Sequence, residues 1–283
     1  CGEAASLGIH ESQSRMWENL VGRSRAFWEH FYRPAQAAFP AALGSTSLDD
    51  FHFAINEVRP SFVRVEADEA TYALHVTLRF ELEVALLDGT LAPADVPAAW
   101  NERMRDLLGI DVPDDAHGCL QDIHWASGAL GYFPTYALGN IVSGQLWAAA
   151  NAALPDLDDA LAAGDCAPLR DWLREHVHRH GRTLDPPELL RRATGSDLDP
   201  QPVLDYLRAA HDRILARLVS FAEILSISTD PAHASDIARA AQWVAGEVAA
   251  AGPFTVRTLP TGGHPVVYAE WLGAPGQPTV LVY

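Results

Sequence analysis

The chain has 283 residues, 48% hydrophobic and 20% charged, with 20 basic against 37 acidic side chains and a formal net charge of −17. That length predicts about two domains with enough chain for a real core, and the acidic balance excludes nucleic acid as a partner, because phosphate contacts need clustered cations. There is no lysine, no CxxC spacing among Cys1, Cys119 and Cys166, and no apolar run near the ~20 residues of a membrane helix. Schiff-base lysine chemistry, the Walker phosphate loop, a thiolate zinc site and a membrane span are therefore excluded, and a cytoplasmic protein with no membrane partner is expected.

Residues 1–209 read as helix after helix, joined by short connections rich in Asp, Pro and Gly. Ile9, Met16, Leu20 and Phe27 recur at helical spacing and predict one amphipathic helix through about Glu29. From Ala70 to Leu87 the apolar positions Leu74, Leu78, Leu82 and Ala85 occupy one face and Val76, Phe80 and Val84 another, which predicts a buried helix. Asp95 is placed to cap a helix carrying Trp100, Met104 and Leu107 and ending at Gly109. Pro168 to Gly181 and Asp185 to Gly195 predict two more.

Beyond about residue 209 the texture changes. Ile214 to Leu225 predicts a helix, Ser226 to Pro231 a loop, and Ile237 to Val248 a second helix closed by Gly252 and Pro253. Three strand-like runs follow, Phe254–Leu259, Pro265–Leu272 and Pro278–Tyr283, separated by Gly and Pro turns. The expected organisation is thus a mainly α piece, 1–209, and the truncated start of an α/β piece, 210–283. The chain opens on Cys1 without a Met and closes inside a β-branched run, so both termini are expected to be cuts.

Four patterns in the first piece carry chemistry: His10-Glu11-Ser12-Gln13, the stretch Val63-Arg64-Val65-Glu66-Ala67-Asp68, the stretch Gly118 to Trp125 containing Gln121, Asp122 and His124, and Gly131 to Tyr136 with Tyr132 and Tyr136. Taken singly, a His-Glu pair reads as a solvated helix face, and Arg64 near two acids as an ion-pair network of little net stability. In this order within one helical chain they resemble the carboxypeptidase Taq family of zinc metallocarboxypeptidases, from about Gly8 to Arg208. The matching family patterns are HES-Q, (I/V)RxxAD and GxxQDxHW.

That resemblance implies a mainly α HExxH-type metallopeptidase fold, a homodimer, peptide substrates and zinc, or cobalt in its place. It implies that Glu11 is a metal ligand and that Arg64 grips the substrate's terminal carboxylate, a task suited to a guanidinium's paired donors. It makes His124 the residue that steadies the developing oxyanion, with Tyr132 and Tyr136 as candidates for a second donor. Gln121 and Asp122 are implied on the substrate-binding side, as groups that orient His124.

One departure limits the activity. The chain contains no HExxH; His176 and His180 are four apart, but the residue after His176 is Val177, so the general-base Glu is missing. His176, His178 and His180 fit better at a helix C-terminus. The family's DxRxT motif is absent as well, and both motifs are expected upstream of Cys1. One carboxylate cannot hold a catalytic metal, so this chain by itself is expected to be inactive. A non-catalytic helical binding or oligomerisation module is the alternative.

The second piece is similar to the N-terminus of carnosinase-type dinuclear-zinc dipeptidases, on Ser226 to Pro231, Gly263 to Tyr268, and Trp271 to Pro275 with the final strand. That resemblance makes a dipeptidase fragment a further alternative, cut before its first ligands. His264, between Gly263 and Pro265, reads as a loop histidine.

Overall fold

The computed structural model describes residues 4–209, 234–250 and 254–271. The chain divides into two compact units, residues 1–31 with 54–209, and residues 32–53 with 210–283. Among the described residues the architecture is mainly α, as the patterning predicts, with a two-stranded sheet formed by two of the three expected strand runs.

In the first unit, α1 (Leu7–Arg15) starts at Ser6, where the backbone is extended and Oγ accepts the Ile9 amide at 3.1 Å. The single helix expected through Glu29 is instead broken. A π-helical turn, Met16–Val21, follows α1, and α2 (Arg25–Ala38) begins afresh. The break has local causes: Ser24 Oγ accepts the Phe27 amide at 3.2 Å, and the Gly22 carbonyl is taken by Trp28 Nε1 at 2.7 Å. The helices α3 (Pro40–Leu43) and most of α4 (Leu48–Ile55) belong to the second unit; in the first, the 3₁₀ turn Arg64–Glu66 leads into α5 (Tyr72–Asp88), which ends at Gly89 in the left-handed region.

Helix α6 (Val96–Leu108) ends at Gly109 as predicted. Asp95 sits at its N-cap position but makes no side-chain capping bond, because a 3₁₀ turn, Pro93–Asp95, carries the chain in. Then come α7 (Pro134–Ala153), α8 (Leu157–Ala162), α9 (Ala167–His176), α10 (Pro186–Thr194) and α11 (residues 201–209).

The largest apolar cluster joins Met16 and Leu20, Val142 and Leu146 of α7, Leu161 of α8, Leu173 of α9 and Leu189 of α10. A second pairs Leu78 and Leu82 of α5 with Trp100, Met104 and Leu108 of α6. The expectation that α5 is buried all round is corrected: Phe80, Val84 and Leu87 are 49%, 46% and 69% exposed, so only two of its faces are covered. Helix α7 seats α1 through a glycine. A Cβ at Gly139 would lie 2.8 Å from the Glu11 Cβ, a separation only a bare backbone permits.

In the second unit, α12 (Ala234–Ala250) packs against an antiparallel hairpin of β1 (Thr255–Leu259) and β2 (Val266–Glu270), registered from Thr255 opposite Glu270 to Leu259 opposite Val266. Within the same unit, the Tyr32 hydroxyl donates to the Thr46 carbonyl at 2.7 Å. The helix expected over 214–225, the loop Ser226–Pro231 and the strand Pro278–Tyr283 lie outside the described residues.

Candidate active site

The predicted residues meet where α1, the turn before α5, the loop after α6 and the start of α7 come together. Glu11 is half-buried on α1, with Oε1 accepting from the Tyr132 hydroxyl at 3.1 Å and Oε2 from Ser14 Oγ at 2.9 Å. Tyr132 stands two residues before α7, and Tyr136 in its first turn. The Tyr136 hydroxyl is 3.2 Å from His124 Nε2, and the His124 ring packs on Phe133 at 4.4 Å between centroids.

Arg64 opens its 3₁₀ turn and is only 5% exposed. The turn is locked from behind by Asp68, whose carboxylate accepts the amides of Arg59, Ala70 and Thr71 and the Thr71 hydroxyl at 2.7–3.0 Å. The Asp of that motif is therefore a capping group for α5. Arg64 donates from Nε at 3.2 Å and Nη2 at 2.7 Å to Asp122 Oδ1, and from Nη1 to the Tyr72 hydroxyl at 2.9 Å. A guanidinium has five N–H donors; three are engaged, and the others meet no acceptor among the described residues. Its plane also lies over the Tyr136 ring at 4.8 Å.

Asp122 is shared. Its Oδ2 accepts from Arg79 Nε at 2.7 Å and lies 2.6 Å from Arg79 Nη2. Gln121 Oε1 accepts from Arg79 Nη2 at 2.7 Å and from the Arg64 backbone amide at 2.8 Å, while its Nε2 donates to the carbonyls of Phe62, His117 and Gly118. In this structure Gln121 and Asp122 both bond the two arginines, Arg64 and Arg79. His124 Nδ1 is 3.7 Å from Asp122 Oδ1 and has no hydrogen-bond partner.

Two buried guanidiniums against one carboxylate leave an excess positive charge, and the titration behaviour reflects it. Burial works against the charge of Arg64, but its bonds to Asp122 and Tyr72 outweigh that and raise it above the ordinary guanidinium value. Burial wins at Arg79, which falls to about 10 despite Asp122. Burial alone would raise Asp122, yet the two arginines pull it below the usual carboxylate range. His75, fully buried on α5, drops to about 4 through burial and the nearby Arg79 and Arg64 charges, so it is neutral at pH 7. Burial lowers His124 and pushes Tyr136 up to about 12, which keeps the phenol a donor at any ordinary pH.

A cavity of about 240 Å³ opens on this arrangement, lined by Glu11, Arg15, Glu18, Arg64, Tyr72 and Tyr136 among others. Arg15 braces one wall, donating to Asn140 Oδ1 and Glu18 Oε2 at 2.8 Å, its guanidinium 4.1 Å from the Tyr72 ring centre. Of the predicted set, Glu11, Arg64 and Tyr136 line the cavity, and Gln121 and Asp122 stand behind Arg64. Sequence reasoning missed Arg15, Tyr72, His75 and Arg79. One signal was present: His75, Arg79 and Glu83 recur every four residues inside an apolar helix, and all three are buried.

The residues present do not make a metal site by themselves. Among the described residues no group of three His, Cys, Asp or Glu side chains stands close enough to hold an ion, and a catalytic zinc takes three protein ligands. His178 Nε2 instead meets Gln13 Oε1 at 2.8 Å, and His176 packs on Trp172 at the end of α9.

Comparison with known proteins places this geometry. A family profile described as carboxypeptidase Taq (M32) metallopeptidase matches residues 1–211. Over 206 residues the chain is 52% identical to thermostable carboxypeptidase 1 of Thermus thermophilus, covering 73% of this chain and 40% of that protein. Over 205 residues it is 46% identical to carboxypeptidase 1 of Bacillus subtilis (strain 168), covering 72% and 41%. Among solved structures, the M32 carboxypeptidase of Deinococcus radiodurans R1 superposes with a TM-score of 0.69 at 47% identity, covering 74% of this chain and 42% of that one. Trypanosoma cruzi metallocarboxypeptidase 1 gives 0.68 at 39%, covering 74% and 44%. The chain therefore spans about two fifths of the length of these relatives.

Proposed function

The chain belongs to the carboxypeptidase Taq (M32) metallopeptidase family, and on that premise we propose that it carries the substrate-carboxylate end of a metallocarboxypeptidase site. The observation that carries this reading is the Arg64 guanidinium, held rigidly on Asp122 and Tyr72 at the wall of a cavity with N–H donors left over. A peptide's terminal carboxylate would take those donors and offset the excess positive charge of the Arg64–Asp122–Arg79 group. Tyr136, on the same wall and held protonated, is the better placed of the two tyrosines to donate to substrate; Tyr132 is committed to Glu11.

The metal of the whole enzyme, which we propose is zinc or cobalt, would have Glu11 as one ligand, and no metal-dependent step can be built from that residue alone. We accordingly expect this chain by itself not to hydrolyse peptides. Homodimerisation, a cytoplasmic location and the division at about 209 belong to the same reading. The reading of residues 210–283 as the start of an α/β domain of the dinuclear-zinc dipeptidase kind rests on the sequence motifs alone. The shortage of metal ligands also favours a second reading, a non-catalytic peptide-binding or oligomerisation module.

The test pairs metal content after dialysis with a release assay on an N-blocked dipeptide. The chain alone should hold no stoichiometric zinc and release nothing. Adding a family fragment that contains HExxH should restore both if the first reading holds. A fragment that binds without restoring release would favour the module. Tight zinc in the chain alone, with release abolished by Glu11→Ala, would contradict the expected inactivity.

A further inference from the structure

We propose that Arg79, a residue that does not reach the cavity, is the positioning residue for carboxylate recognition, because its one guanidinium fixes two of the three anchors of Arg64, Asp122 and Gln121. The inference rests on the reading of Arg64 as the carboxylate grip. Arg64 is held at three points: its guanidinium by Asp122 Oδ1 and the Tyr72 hydroxyl, and its backbone amide by Gln121 Oε1. Arg79 holds the other oxygen of Asp122 through Nε and Nη2, and the same Gln121 oxygen through Nη2.

Arg79 is itself immobile. It is fully buried, Nη1 donates to the His75 carbonyl one turn back on α5 at 2.8 Å, and its plane lies 4.6 Å from the Trp100 ring centre. A planar fork can serve two acceptors in fixed directions, whereas a lysine ammonium supplies a point charge on a flexible stem. The consequence is specific. With Lys at this position the charge balance survives, but Asp122 and Gln121 are no longer tied to one rigid group. Arg64 should then lose orientation before the fold loses stability.

The experiment follows the Arg64 Nε–Hε resonance of the ¹⁵N-labelled full chain, assigned with Arg64→Lys, in wild type and in Arg79→Lys. In wild type the heteronuclear relaxation of this group should match that of rigid backbone, and its hydrogen exchange should be slow. In Arg79→Lys, with circular dichroism unchanged, the group should become mobile and its exchange should quicken at least about tenfold. A fixed preference for an N-acetyl dipeptide acid over its amide should fall by about the same factor, ~1.4 kcal/mol of discrimination. A folded Arg79→Lys variant whose Arg64 resonance stays rigid would overturn the inference.

Should Arg79→Lys fail to fold, Gln121→Ala decides. It removes the link between Arg79 and the Arg64 amide at a partly exposed site, and it must mobilise Arg64 if the inference holds. Rigidity that responds to Arg79, in a wild type with no acid-over-amide preference, would leave the positioning role standing and overturn the carboxylate reading.

Discussion

The two ends of the site are built to different standards. Around Arg64, buried guanidiniums, a shared carboxylate and a glutamine whose side chain is bonded at both its oxygen and its nitrogen form a closed network with little freedom. Around Glu11, a half-buried carboxylate takes one bond from Ser14 and one from Tyr132, and among the described residues no group of three His, Cys, Asp or Glu side chains forms around it. A buried charge needs bonded partners wherever it sits, and the Arg64 end supplies most of them from within this chain, leaving one positive charge in excess. A half-buried carboxylate keeps contact with solvent and needs no fixed charge partner, so the Glu11 end tolerates being open.

The largest expected effect falls on the closed end. Asp122→Ala would leave two buried arginines facing each other without their carboxylate, and urea unfolding should show a loss of about 3–5 kcal/mol. A loss below about 1 kcal/mol would mean that the network is wetter than its geometry implies.

His75 gives the next effect, through pH. Its folded value, about 4, lies below the ordinary 6.5, so the unfolded chain takes up the proton first. Stability should fall as pH drops from about 6.5 to about 4, by about 3 kcal/mol, and this contribution should level off below that. In His75→Leu that part of the slope should vanish; an unchanged slope between pH 7 and 4.5 would assign it elsewhere.

Gly139→Ala sharpens the contrast at the other end. The new Cβ would meet the Glu11 Cβ at 2.8 Å, so α1 must move off α7. The net cost should be about 1–3 kcal/mol despite alanine's better helix propensity, read as a lower Tm. Smallest of all, Glu11→Gln should change stability by less than about 1 kcal/mol, because two hydrogen bonds at a half-buried site are all it disturbs.

How much of this was readable from sequence differs along the chain. The helix ending at Gly109 and the strands about 255–259 and 266–270 follow from local periodicity and turn residues. Helix α7 is not singled out within the helical stretch, and it carries Gly139 and Gly144, residues of low helix propensity. In the structure they are contact points, Gly139 for α1 and Gly144 for α11, where an added Cβ would lie 2.9 Å from the Val203 amide. The site motifs announced Arg64, Asp122 and His124, but not which way each side chain turns. Arg79 and His75 are polar residues inside a segment whose apolar pattern predicts a buried helix. The role of Arg79 depends on pairing with a loop more than forty residues away, which no local spacing encodes.

The central claim is that carboxylate recognition resides in this chain and works without metal. The direct test is calorimetric titration of the full chain, in the presence of EDTA, with an N-acetyl dipeptide acid and with its C-terminal amide. The account predicts that the acid binds, that the amide binds at least about tenfold more weakly, and that Arg64→Ala removes the difference. Equal binding of acid and amide, or no binding of the acid, would contradict it.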